Sequence, residues 1–94
     1  MNEVELERKK QRGIRAQQLL DDELIKGAFN DIRENIYHKI ASSSFSQSDE
    51  RENCYHMLRA VECFEGVFKK YIRDGRKAIE DLKKPEPVKR VQDY

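Results

Sequence analysis

The side chains of this chain that could hold a metal ion are few and scattered. The two histidines are His38 and His56, and a helical hairpin that brought them together would also bring Cys54 near them. A metal site needs three or four ligands in a fixed geometry, and no convincing fourth ligand is present. Three consecutive acidic residues at positions 21–23 have no second ligand cluster either. We therefore expect surface histidines, a solvated acidic segment, and no metal or cofactor.

The cysteines and the sequence motifs give no sign of catalysis. Cys54 and Cys63 fall in one predicted helix, where a separation of nine residues places them roughly 180° apart at about 100° per residue. They cannot bridge each other there, so we expect Cys54 in the core and Cys63 at a surface or interface. The chain has no glycine-rich phosphate loop, no paired-cysteine motif and no His-Glu-x-x-His motif. The sequence does not predict an enzyme.

Basic residues are the candidates for a charged contact. Lys69, Arg73 and Lys77 recur every four residues, so they lie along one side of a helix, and Lys70 is beside them. Such a row suits a phosphate backbone or an acidic protein surface. Against nucleic acid stand the formal net charge of +1 and the lack of aromatic residues interleaved for base stacking. A solvated face or a protein contact is the first interpretation, and nucleic acid is the second.

A long helix predicted over residues 49–84 must position this row. From Cys54, alternating steps of three and four residues reach Leu82 without meeting a charged side chain. That is the period of an amphipathic helix. Ser48 is the expected N-terminal cap, and Pro85 ends the helix. The candidate core and protein-interface positions of this apolar stripe are Met57, Val61, Phe64, Phe68, Tyr71 and Ile72.

The remaining elements predict an all-α fold. A second apolar stripe predicts a helix over residues 22–41, with an Asp21–Asp22 cap at its start, and a serine-rich loop over 42–48 joins it to the long helix. So short a loop favours a long antiparallel hairpin. Phe45 in this loop is expected to fold back over the helix ends or to contact a partner. Residues 3–20 predict an additional N-terminal helix, which either continues the hairpin or packs on it. Residues 1–84 form a single domain, and 85–94 are an extended or flexible tail.

The composition predicts that other chains complete this fold. Charged residues make up 39% of the chain and hydrophobic residues 37%, and a chain of this length buries only about 60–65% of its surface. Because each arm of a hairpin covers one side of the other, we expect a coiled-coil-like homo-oligomer or a subunit of a larger assembly. We expect no small-molecule substrate. No apolar run reaches about 18 residues, and residues 1–12 lack the apolar core of a signal peptide, so we expect no membrane contact and a cytoplasmic location.

Three segments carry a resemblance to a known set of proteins. They are residues 12–22, with the sequence RGIRAQQLLDD, the Ala28–Phe29 pair, and the helix that opens with DERE at 49–52 and later holds LRA at 58–60 and DGRKA at 74–78. Their order is similar to that of small helical bacteriophage and prophage proteins from head-assembly and packaging gene modules. The serine-rich loop and the paired prolines depart from that pattern, and no functional residue carries over. The resemblance implies a location in the host cytoplasm or on the virion.

Three functional hypotheses follow from these features. The first is a non-enzymatic structural or adaptor protein, a phage-derived component of an oligomeric assembly that acts through helix–helix contacts. The second is a nucleic-acid-binding accessory, such as a small DNA-packaging protein similar to a terminase small subunit. The third is a small inhibitor of a host protein, which the sequence neither supports nor excludes.

Overall fold

The computed structural model describes residues 2–84, and all its regular structure in that range is helical. Helix α1 spans Glu3–Asp21, α2 spans Glu23–Ser42 and α3 spans Ser48–Lys83. The prediction of an all-α fold is confirmed, and the predicted tail lies outside the described residues. None of the described helices is both long enough and apolar enough to cross a membrane.

A single residue, Asp22, separates α1 from α2. Its backbone is extended, and its carboxylate accepts hydrogen bonds from the backbone N–H groups of Leu24 and Ile25, at 2.8 and 3.2 Å. These bonds satisfy donors that the first turn of a helix leaves free, so they favour a new helix start at this point. The predicted cap at Asp21–Asp22 is confirmed, and Asp22 is the residue that forms it. Asn2 begins α1 in the same way, by accepting a bond from the N–H of Glu5.

The predicted cap of α3 is wrong. Ser48 is the first helical residue, and Gln47 occupies the cap position without a side-chain bond to the helix backbone. The Gln47 amide instead accepts from the Ser44 N–H at 2.6 Å and donates to Glu50 at 3.1 Å. Arg51 reaches back from α3 and donates to the Ser43 hydroxyl at 3.1 Å. These bonds hold the turn closed, but they leave Phe45 completely exposed at its tip. The expectation that Phe45 folds back is therefore wrong.

The helices form a hairpin whose first arm is broken. Helix α1 packs on the C-terminal half of α3, where Gly13 lies against Gly75, and α2 packs on the N-terminal half, where Phe29 lies against Phe64. The first arm, α1 followed by α2, therefore runs antiparallel to the second arm, α3. Of the two arrangements predicted for the N-terminal helix, the first is therefore observed: α1 continues the hairpin along α3.

The core between the two arms is thin. Only six apolar residues of the described chain are buried, and they follow one line between the arms: Leu6, Ala16, Phe29, Ile36, Cys54 and Ala78. Cys54 is buried and Cys63 is exposed, as predicted. Because a two-helix layer has no third element to cover it, large apolar side chains of both arms reach solvent.

Candidate functional site

An open apolar groove of about 430 Å³ lies where the first arm breaks and crosses the middle of α3. The first arm supplies Leu19 from the end of α1 and four residues from α2, namely Ile25, Ala28, Phe29 and Ile32. Helix α3 supplies Ala60, Val61, Phe64 and Phe68. All nine lining residues are apolar. A groove of this kind takes another apolar surface, and it offers no group that could activate a substrate.

Three aromatic rings line the groove, and the row that they form continues along α3 to Tyr71. The rings of Phe29 and Phe64 lie 6.1 Å apart across the two arms. Along α3, Phe64 and Phe68 meet edge to face at 5.2 Å, and Phe68 and Tyr71 at 6.5 Å. The guanidinium of Arg12 lies 4.1 Å above the Tyr71 ring and ends the row. Rings in these arrangements attract each other beyond the burial of their area, so the row holds both helices of the first arm against α3.

The apolar surface extends beyond the groove along α3. Met57, Ala60, Phe64 and Val67 recur at steps of three, four and three residues, so they share one side of the helix. Met57 is 43% exposed, Phe64 59% and Val67 44%. On the first arm, Leu19 and Ile32 are also exposed at the groove. We call the groove together with Met57 and Val67 the apolar face.

The residues predicted for the protein interface divide into two groups. Val61, Phe64 and Phe68 line the groove together. Met57 does not line it but lies on the same side of α3 by its helical spacing. Tyr71 and Ile72 are half-buried toward α1, where the guanidinium of Arg12 lies over the Tyr71 ring. Ile72 lines a separate groove of about 210 Å³ between α1 and the C-terminal half of α3. The predicted stripe thus serves packing between the arms at its C-terminal end and the apolar face in its middle.

The predicted basic row lies on the opposite edge of α3 from the packing seam. Lys69, Lys70, Arg73 and Lys77 are all exposed, and none makes an ion pair within residues 2–84. The antiparallel arrangement brings the basic part of α1 to the same end of the hairpin, across the packing seam from this row, because Gly13 lies against Gly75. This second basic group was not predicted from the sequence.

Two sequence patterns could have predicted the α2 side of the groove and the basic segment of α1. The α2 residues of the groove belong to an apolar stripe that is too wide for one partner helix, with Ile25, Ala28 and Ile32 beside the buried Phe29. In α1, residues 8–15 contain five cations and no carboxylate. Each signal acquires a functional meaning only once the alignment of the two arms is known.

The histidines and acidic residues form no metal site in the described part of the chain. No three His, Cys, Asp or Glu side chains of residues 2–84 are placed to hold one ion. His38 and His56 are exposed, whereas Cys54 is buried. Asp22 caps α2 and Asp21 accepts from the Gln17 amide, so these two acids have structural partners.

No protein-family model matches this chain, and no curated protein or solved structure is significantly similar to it.

Proposed function

We propose that this chain is a non-enzymatic structural or adaptor protein whose apolar face docks on a second copy of the chain. The observation that carries the proposal is the groove lined only by apolar residues, with the 59% exposed Phe64 at its centre. The proposed phage origin, and with it a place in virion assembly in the host cytoplasm, rests only on the resemblance of residues 12–78.

A second copy fits this face because the face contains both a projection and a recess. Phe64, Met57 and Val67 stand out from α3, and the groove beside them is open. A two-fold axis near Phe64 would place the projection of each copy against the recess of the other. Such a contact is isologous and closes on itself. The product has four helices in cross-section, and in a four-helix arrangement each helix is covered on two sides.

The dimensions of the hairpin also suit a dimer. One side of the two-helix layer is about 54 Å long for a helix of 36 residues and about 20 Å wide, or roughly 1,000 Å². A stable interface needs about 800 Å² from each partner. The apolar face lies near the middle of this side, with polar residues toward both ends, which is the usual arrangement of an interface core and its rim.

The test compares two variants, each of which replaces one exposed valine with aspartate. Val67→Asp places a charge in the apolar face, and Val4→Asp makes the same change at a 68% exposed position far from it. We expect wild type and Val4→Asp to have twice the chain mass of 11.2 kDa by light scattering on a size-exclusion column, at low and high salt. Val67→Asp should be monomeric and retain the helical circular dichroism of the wild type. A monomeric wild type, or a Val67→Asp variant that remains dimeric, contradicts the proposal.

A further inference from the structure

The packing of α1 on α3 gathers positive charge that is dispersed in the sequence. Residues 8–15 contain five cations and no carboxylate, and residues 69–77 contain five cations and one carboxylate, Asp74. The two segments together have a net charge of +9, whereas the whole chain has +1, so the rest of the chain has −8. The two segments adjoin because Gly13 and Gly75 are in contact, and most of their cations point outward from that contact, so positive charge surrounds this part of the hairpin. We call these two segments the basic crossing.

The cations of the basic crossing are available to a ligand. Eight of the ten are exposed, and Lys9 and Lys10 are half-buried. Of these ten cations, only Lys10 makes an ion pair within residues 2–84, with Glu7 at 3.5 Å. Arg12 lies over the Tyr71 ring and is still an exposed residue. Unpaired cations at this density repel one another, and a bound polyanion would relieve that repulsion.

We propose that the basic crossing binds the phosphate backbone of double-stranded nucleic acid without reading its sequence. Each helix offers one row on its outer side: Arg8, Arg12 and Arg15 follow each other at about one turn along α1, and Lys69, Arg73 and Lys77 do so along α3. Half of the ten cations are lysines, which are depleted in protein interfaces but common at phosphates. This composition favours nucleic acid over an acidic protein. No aromatic ring stands free among these residues to stack on a base, since Tyr71 is half-buried under Arg12.

The experiment measures the binding of the full chain to a fluorescent 30-base-pair duplex by anisotropy, over a series of salt concentrations. With about five phosphate contacts, affinity should fall roughly 500-fold between 50 and 200 mM salt. The test variant is Arg8→Gln with Arg15→Gln, because both arginines are exposed on α1 and glutamine keeps the helix. We expect it to bind at least about tenfold more weakly and to lower the salt slope by about two.

The matched control is Lys26→Gln with Arg59→Gln, which removes two exposed positive charges outside the basic crossing. It should leave affinity within about twofold of wild type and the salt slope unchanged. An equal loss in the control would show that only net charge matters and would overturn the proposal, as would absence of binding at 50 mM salt. A polyglutamate peptide of equal charge is the second probe. If it binds as tightly as the duplex, with the same response to the variants, an acidic protein replaces nucleic acid as the partner.

Discussion

Gly13 of α1 and Gly75 of α3 lie against each other backbone to backbone. A Cβ built on Gly13 would lie 2.9 Å from the Cα of Gly75 and 2.8 Å from the carbonyl oxygen of Tyr71. A Cβ on Gly75 would lie 2.9 Å from the Cα of Gly13. Both glycines have ordinary helical backbones, so it is the missing side chain that matters here. This contact fixes where α1 meets α3, and therefore which charges are neighbours.

Alanine at either glycine should destabilise the protein. The added methyl group meets backbone atoms, which cannot move aside as a side chain can, so the helices must separate. We expect Gly13→Ala and Gly75→Ala each to lower the free energy of unfolding by about 1–3 kcal/mol. The measurement is urea unfolding followed by circular dichroism, at one fixed protein concentration because association shifts apparent stability.

Alanine at the other two glycines should change the free energy of unfolding in the opposite direction. A Cβ on Gly27 or Gly66 meets nothing within 4 Å. Alanine is the better helix former, so Gly27→Ala and Gly66→Ala should raise the free energy of unfolding by about 0.5–1 kcal/mol. If all four variants were stabilised alike, the close contact of Gly13 with Gly75 would be wrong.

Asp22 separates the two helices of the first arm. Its carboxylate should contribute more to the stability of the protein than the carboxylate of Asp21. Asp22→Ala removes both bonds to the first turn of α2, and we expect a loss of about 1 kcal/mol in the free energy of unfolding. Asp21→Ala removes only exposed bonds to Gln17 and a negative charge at the C-terminal end of α1, where the helix dipole disfavours it. Thermal unfolding of both variants should show a lower midpoint for Asp22→Ala alone. A loss as large in Asp21→Ala would exclude the cap as the cause.

The two cysteines should react at very different rates. Cys63 is exposed and Cys54 is buried between the arms, so a thiol reagent should modify one group per chain rapidly and the second only as the arms open. Colour release from an aromatic disulfide reagent, with and without denaturant, measures both phases. In Cys63→Ser only the slow phase should remain. Two fast groups in the wild type would mean that α2 does not cover Cys54.

The three helices could be predicted because their signals are local. The apolar period, the serine-rich loop and the acidic pair before α2 lie within a few residues of the boundaries they set. The predicted ranges 3–20, 22–41 and 49–84 accordingly differ from the observed helices by one residue at most at each end. The cap of α3 was wrong because Ser48 and Gln47 compete for one position, and the Gln47 amide bonds within the turn instead.

The candidate site could not be predicted to the same degree, because it depends on the alignment of two arms that are distant in sequence. Phe64 was identified from its own helix, but the α2 half of the groove requires knowing that Phe29 faces it. The Arg8–Arg15 segment has a weak apolar pattern, so nothing local places it beside Lys69–Lys77. Phe45 shows the converse error, since an apolar residue in a polar loop is usually covered, and this one is not.

That alignment can be tested at Arg33 of α2, which pairs with Glu65 of α3 where both side chains are mostly buried. Partial burial reduces screening, so we expect a coupling energy of about 1 kcal/mol in a double-mutant cycle of Arg33→Ala and Glu65→Ala. The cycle of Arg33→Ala with Glu62→Ala is the control, because Glu62 is exposed and makes no ion pair within residues 2–84. Its coupling should stay within about 0.3–0.5 kcal/mol of zero. A slip of one helical turn between the arms would carry Glu65 away from Arg33 and also separate Phe29 from Phe64. No coupling between Arg33 and Glu65 would therefore refute both the alignment and the groove that depends on it.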